Sequence, residues 1–329
     1  MGDKKYLYPL KFDTIFKEKI WGGTKIKDVL GKDFAPMSNC GETWEISGVE
    51  GNLSRVSEGV LKGKTLPELI DTYGADLVGN KVLEQYGNEF PLLVKFIDAA
   101  EDLSIQVHPN DELAKKRHDS LGKTEMWYVF HADEGAKLIS GFNKNTSKEE
   151  YLEYLNSGRL EELSNLEKVE VGDAFYLPAG RVHTIGKGLL LAEIQQSSDI
   201  TYRIYDFDRT DDQGNKRELH TDLALDALDY CHHSNYKIKV DRGMNEAVPL
   251  VKSQYFQTNL LEFSTGIIRE HYDKDSFIIY TCTQGEAEIH TQGQTTKICM
   301  GNAVLVPRKF PEVHIRTKSG FKILETFVP

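Results

Sequence analysis

GDAFYLPAGRVHTI (172–185) and GNAVLVPRKFPEVHI (301–315) are two versions of one phrase, each opening on glycine, crossing five residues and reaching proline. The stretches upstream also correspond: EMWYVFHADEGAKLI (125–139) resembles SFIIYTCTQGEAEIH (276–290), with a turn glycine at Gly135 and Gly285. Self-similarity at this distance implies a duplicated structural unit. Working outward, short alternating apolar runs such as LLVKFIDA (92–99) and LSIQVH (103–108), broken by Gly, Pro and Asn, read as strands of a barrel or sandwich. Helical spacing with Thr65, Asn110 and Ser147 as N-caps interrupts them, predicting helical inserts at about 63–90, 110–122 and 147–166. The expected fold is therefore mainly β, two duplicated barrels with a small helical lobe. The polar stretch around 233–247 is the expected linker, with a first unit at 1–235 and a second at 236–329.

The 329 residues can bury two such cores. The formal charge of -11, with 40 Lys and Arg outnumbered by 51 Asp and Glu, argues against nucleic acid as a partner, because phosphate backbones need a basic face. Any anionic small molecule must then be caught by a few local cations. No stretch approaches eighteen apolar residues and the start, MGDKKYLYPLKFDTIF, is polar throughout, so neither a membrane span nor an export signal is expected. Cys40, Cys231, Cys282 and Cys299 form no CxxC pair, which fits a reducing, cytoplasmic setting.

In LSIQVH, Gln106 and His108 are two apart, so both leave the same face of a strand, and Pro109 ends it. Glu125 opens the next apolar run, and His183 sits in G-x5-P-x-G-x2-H, where a turn carries the imidazole back over the barrel. Two imidazoles, a carboxylate and an amide oxygen suit Zn²⁺, with Fe²⁺ or Mn²⁺ as alternatives. Each residue alone has a bland reading, as a satisfied core histidine or a solvated glutamate; their conjunction points to one metal site.

These motifs resemble a known family. G-x5-P-x-G-x2-H is similar to the second cupin motif, and the ordered set IWGG (20–23), GETWEIS (41–47), SIQVHP, GKTEMWYV, LPAGRVHTI and AEIQQSSDITYR resembles type I mannose-6-phosphate isomerases of the short bacterial form. The resemblance implies duplicated, jelly-roll-like cupin barrels and the interconversion of mannose 6-phosphate and fructose 6-phosphate by a cytoplasmic enzyme. It implies one zinc per chain held by Gln106, His108, Glu125 and His183. It also implies an active-site arginine at Arg203, a lysine at Lys123 and a further acidic residue at Glu193. The first cupin motif departs from His-x-His by having Gln106, which is the isomerase variant.

Isomerisation through an enediol needs a proton carrier and a group to steady the oxyanion. Arg203 suits the second role, because it does not lose its proton, and its bland alternative is an ion pair with Asp199, Asp206 or Asp208. Lys123 is either a proton carrier or a substrate cation, and Glu193, set in the apolar LLLAEI, is a candidate base that is either exposed at a strand edge or deliberately buried. In the second copy, Asp275 and Ser276 stand near the position of Glu125 and His314 near that of His183; this barrel is expected to bind no metal. The competing readings are an Fe-dependent cupin oxygenase and a non-catalytic sugar-phosphate-binding cupin. The expected partner is a sugar phosphate, and the expected assembly a monomer or weak homodimer.

Overall fold

The structure, a computed structural model, describes residues 7–210, 213–240 and 243–329. Of the expected first unit, residues 1–6 and 211–212 lie outside the described residues, as do 241–242 of the expected linker. The first barrel takes strands β1 (Ile15–Lys17), β2 (Glu42–Ile46), β3 (Leu92–Ala99), β4 (Ile105–Val107), β5 (Glu125–Ala132), β6 (Lys137–Phe142), β7 (Ser164–Lys168), β8 (Ala174–Leu177), β9 (His183–Ile185), β10 (Leu189–Gln196) and β11 (Tyr202–Tyr205). They form two antiparallel sheets, ordered β1-β2-β3-β10-β5-β8 and β11-β4-β9-β6-β7. The second barrel takes β12 (Glu246–Lys252), β13 (Gln257–Phe263), β14 (Ile267–Glu270), β15 (Ile278–Thr291), β16 (Gln294–Cys299), β17 (Ala303–Val306), β18 (Glu312–Arg316) and β19 (Phe321–Phe327). Its sheet runs β12-β13-β19-β15-β18-β14, with β16 and β17 also paired to β15. The chain is thus mainly β, two cupin-type barrels in tandem.

Helices interrupt the first barrel: α1 (Lys25–Asp28), α2 (Leu66–Tyr73), α3 (Ala75–Val78), α4 (Asn80–Tyr86), α5 (Asp111–His118), α6 (Lys148–Asn156), α7 (Leu160–Leu163) and α8 (Thr221–Ala227). The three caps expected from sequence are all made. Thr65 and Glu68 close a reciprocal capping box on α2, Asn110 accepts from the Leu113 amide, and Ser147 accepts from the Glu150 amide. Each such cap stabilises its helix by about 1 kcal/mol.

Strands β3 and β10, central in their sheet, are buried along their whole length. The period-2 alternation divides them between two cores. Leu92, Val94, Phe96, Leu190, Ala192 and Ile194 join an apolar cluster that continues through Leu66 and Leu77 to Phe277 and Leu305 in the second barrel. Ile97, Ala99, Leu189 and Leu191 face the first barrel's interior with Trp127 and Phe175. Lys95 and Glu193 alternate with the outer set, so they too point inward, and both are buried.

The expected linker begins as a bound strap. Tyr236 donates to the Phe142 carbonyl at 2.7 Å and the Ile238 amide donates to Ala174 at 2.8 Å. Gly141 permits this approach: it has φ +77°, and a Cβ there would meet the Tyr236 ring at 2.2 Å. The sequence presented a polar segment, but its tyrosine finds a glycine-sized slot on the barrel.

Candidate active site

Strand pairing assembles the site. Gln106 on β4 lies opposite His183 on β9 and opposite Arg203 on β11, and Glu125 opens β5 opposite Leu177 on β8. His108 follows at the end of β4, two residues past Gln106 and on the same face. The four expected ligands therefore converge. His108 Nε2 is 3.4 Å from Glu125 Oε2, His183 Nε2 is 3.4 Å from Glu125 Oε1, and the Gln106 amide is 3.3 Å from His183 Nε2. That amide contact is nitrogen to nitrogen as placed; turning the amide over presents its oxygen instead.

The imidazoles are set as ligands by their backbones. His108 Nδ1 lies 3.0 Å from the Ile200 carbonyl and His183 Nδ1 lies 2.8 Å from the Arg181 carbonyl. Each Nδ1–H therefore donates to a carbonyl, leaving the Nε2 lone pair aimed inward. Burial pushes the His108 imidazole down to about 3, with the Lys123 ammonium adding to the effect, and burial lowers His183 as well. Both stay neutral, the form that binds a metal. Burial opposes the charge on Glu125, but Lys123 at 3.3 Å and the two imidazoles hold its carboxyl well below the usual range.

These residues fit a small divalent ion. His108 Nε2 and both Glu125 oxygens are buried with no hydrogen-bond partner. Unpaired buried polar atoms carry a desolvation cost that a bound cation would remove. Donors about 2.1 Å from a tetrahedral ion lie about 3.4 Å apart, the spacing observed here. Among the described residues, His108, Glu125 and His183 are the one group of three or more His, Cys, Asp or Glu side chains converging in this way.

The remaining expected residues surround that group. Lys123 is buried against Glu125 rather than solvated. Arg203 makes no ion pair with Asp199, Asp206 or Asp208 among the described residues, because Asp206 is taken by Arg209 and Arg217, and Asp208 by Lys216. Arg203 Nη1 donates to the Glu218 carbonyl at 2.7 Å, and its Nε is buried without a partner. Glu193 is no edge residue: it sits mid-sheet between Trp127, whose indole N–H donates to it at 2.9 Å, and Lys95 at 3.1 Å. Burial raises its pKa and the nearby Glu125 adds to the rise, against the pull of Lys95.

A polar cleft of about 280 Å³ opens beside the ligand group, lined by Gln106, Lys123, Glu193 and Arg203. It is also lined by Asp199, expected from sequence only as a partner for Arg203, and by residues that the sequence reading missed: Lys19, Glu42, Lys95, Ser104 and Arg217. Lys95 did leave a signal, since a charged residue in the middle of the apolar LLVKFIDA matches Glu193 in LLLAEI. A wider concavity of about 640 Å³ lies on the second barrel around Tyr272, His290 and His314, but its histidines pair with half-buried Glu288 and exposed Glu312.

In the second barrel the strand register corrects the sequence comparison. Leu177 and Val306 each precede the repeated proline, and they lie opposite Glu125 and Ile278, so Ile278 and not Asp275 or Ser276 matches Glu125. Val313, buried opposite Arg269, takes the inward position of His183, while His314 points outward to Glu312. Gln106 and His108 thus correspond to Arg269 and His271. Glu193, flanked by Lys95 and Trp127, corresponds to Glu325, flanked by Asn259 and Tyr280. Glu325 is fully buried, receives Arg269 Nε at 2.9 Å and Nη2 at 2.7 Å, and accepts from Asn259 at 2.9 Å. His271 completes the network at 3.3 Å from Glu325 and 2.9 Å from the Tyr280 hydroxyl.

Comparison with known proteins bears on this site. Residues 9–124 match the family described as phosphomannose isomerase type I, catalytic domain. The chain is 36% identical over 320 residues to a probable mannose-6-phosphate isomerase, GmuF, of Bacillus subtilis (strain 168), covering 96% of this chain and 98% of the relative. It is 45% identical over 222 residues to the mannose-6-phosphate isomerase ManA of the same organism, covering 67% and 68% of the two chains. The crystal structure of the mannose 6-phosphate isomerase from Bacillus subtilis superposes with a TM-score of 0.86 at 34% identity, covering 98% of this chain and 99% of that one.

Proposed function

The chain belongs to the type I phosphomannose isomerase family, and from that premise we propose that its cleft interconverts mannose 6-phosphate and fructose 6-phosphate through an enediol, with one zinc ion held by Gln106, His108, Glu125 and His183. The observation that carries the reading is the buried His108, Glu125 and His183 group, with unpartnered donor atoms, beside a cleft rich in cations. Zinc, when bound there, supplies a Lewis acid that polarises the sugar carbonyl or its neighbouring hydroxyl. The chain's own residues do the rest. Arg203, fixed opposite Gln106, turns its unpartnered N–H groups toward O1 and O2 and steadies the oxyanion. Glu193 takes the proton from C2 of the aldose and returns it to C1, its raised pKa bringing it nearer the working pH. Lys123, paired with Glu125 at 3.3 Å, delivers hydrogen bonds to the sugar oxygens.

An Fe-dependent oxygenase or a non-catalytic sugar-phosphate-binding cupin is not favoured, since the full-length relatives are named as isomerases. No helix among the described residues is long and apolar enough to cross a membrane. We further propose a catalytic unit at 1–235, a metal-free barrel at 236–329, a cytoplasmic setting, no nucleic-acid partner, and a monomer or weak homodimer. The test is a coupled assay on mannose 6-phosphate with metal analysis of the same preparation. His108→Ala and His183→Ala should each lose turnover together with zinc, and full activity in a zinc-free variant refutes the site. Arg203→Ala should keep zinc and lose rate, and unchanged turnover removes Arg203 from the mechanism.

A further inference from the structure

Five cations line the cleft, and the charges beside them decide which can hold a dianion. Lys19, Glu42, Lys95 and Glu193 form one chain of contacts at 3.1, 3.9 and 3.1 Å, two ammoniums against two carboxylates. That chain is neutral. Lys123 is matched by Glu125. The arginines differ. Asp206 is the shared carboxylate of Arg209, at 2.6 Å, and of Arg217, whose Nε donates to it at 2.7 Å; Arg203 stands beside them with no carboxylate of its own among the described residues. Three guanidiniums face one buried carboxylate, and Asp199 is a further carboxylate lining the cleft, so positive charge is still in surplus here in a chain whose net charge is -11.

Position separates the two arginines that reach the cleft. Arg203 lies opposite Gln106 in the sheet, next to the reacting end of the sugar. Arg217 comes from the loop beyond β11, where it shares Asp206 with Arg209 close to Arg203, and its Nη1 has no hydrogen-bond partner among the described residues. A sugar with its carbonyl end at the metal ligands and its far end at this side of the cleft would meet the Arg217 guanidinium. A guanidinium suits phosphate oxygens by its planar set of donors, and Asp206 pre-orients this one. Resting on the isomerase reading above, we propose that Arg217, and not Lys19 or Lys123, holds the substrate's phosphate and so distinguishes phosphorylated from free sugar.

The test uses the zinc-loaded, full-length enzyme with Arg217→Ala and Arg217→Gln, the second retaining a hydrogen-bond donor toward Asp206 if the first does not fold. Losing one charge-assisted contact should raise KM for mannose 6-phosphate, and the inhibition constant of inorganic phosphate, by about 10- to 100-fold. The loss should fall mainly on KM, zinc content should hold, and Arg217→Lys should recover part of the phosphate affinity. Lys19→Gln should move the phosphate inhibition constant by less than about threefold. An unchanged phosphate constant in Arg217→Gln, or a larger shift in Lys19→Gln, overturns the assignment. A wild-type enzyme that does not convert mannose 6-phosphate overturns the underlying reading instead, so the two failures are distinguishable.

Discussion

Replacing Arg269 with methionine tests how the second barrel is held together where the first has its ligand group. The change keeps an apolar stem but strips Glu325 of two charge-assisted hydrogen bonds, at 2.9 and 2.7 Å, and leaves its carboxyl with Asn259, His271 and Tyr280. Breaking one side of a buried ion pair costs about 3–5 kcal/mol. The low end applies here, because the Arg269 side chain is 24% exposed and its charge is partly screened. The pH dependence carries the sharper signature. In the native protein burial opposes the charge on Glu325, but Arg269 and His271 hold its carboxyl below the usual range, so it stabilises the fold above the unfolded carboxylate pKa and loses this as pH falls. In Arg269→Met the isolated carboxyl is raised by burial, so its penalty is full at neutral pH and fades on acidification. Urea unfolding should therefore show a gap of about 3 kcal/mol at pH 7 that narrows toward pH 5. Adding Glu325→Gln to the methionine variant should recover part of the loss. A gap below about 1 kcal/mol at pH 7, or one that widens on acidification, refutes the claim that this pair is a buried structural lock.

Glu42, whose burial is outweighed by Lys95 and Lys19, has its carboxyl lowered to about 2, so it contributes stability above the unfolded value that is lost as pH falls from about 4.5 to 2; Glu42→Gln should flatten that acid limb in a thermal-melt series, by on the order of 3 kcal/mol. Chelation should lower the melting temperature of the enzyme, with linkage giving about 4 kcal/mol at free zinc a thousandfold above its dissociation constant, and the same chelator should leave His183→Ala unmoved. Of four thiols, the exposed Cys231 and Cys299 should react with a disulfide reagent under native conditions, Cys231 the more slowly because Asp229 raises its pKa, while Cys40, pushed up to about 11 by burial, and Cys282, pushed up to about 12, should react after unfolding. More than two reactive thiols in the native protein contradicts the packing described.

What was legible in the sequence was whatever a single strand or turn determines by itself. The same-face pair Gln106 and His108 follows from period 2, the three caps from local hydrogen bonding, and the tandem barrels from the repeated glycine-to-proline phrase. Residues that act across strands were harder to see. The sequence assigns Lys95 and Glu42 no role, since only the sheet shows that both faces of β2 and β3 are covered. Arg217 lies in a loop with no period, and its meaning depends on Asp206 being shared with Arg209.

The second barrel shows most clearly why spacing misleads. His183 stands five residues after Pro178, whereas Val313 stands six after Pro307, so matching histidine to histidine selected a residue one step off. In a strand one step reverses the face. His314 accordingly turns to surface Glu312 while Val313 fills the interior, and the register places an arginine where Gln106 stands in the first barrel. Both barrels keep a buried glutamate at one position, Glu193 and Glu325, and both must supply positive charge near it. The first does so with Lys95 and leaves the carboxyl facing the cleft, where burial raises its proton affinity. The second covers both carboxyl oxygens with Arg269, so the strand position proposed to carry reactivity in one barrel is locked by an ion pair in the other.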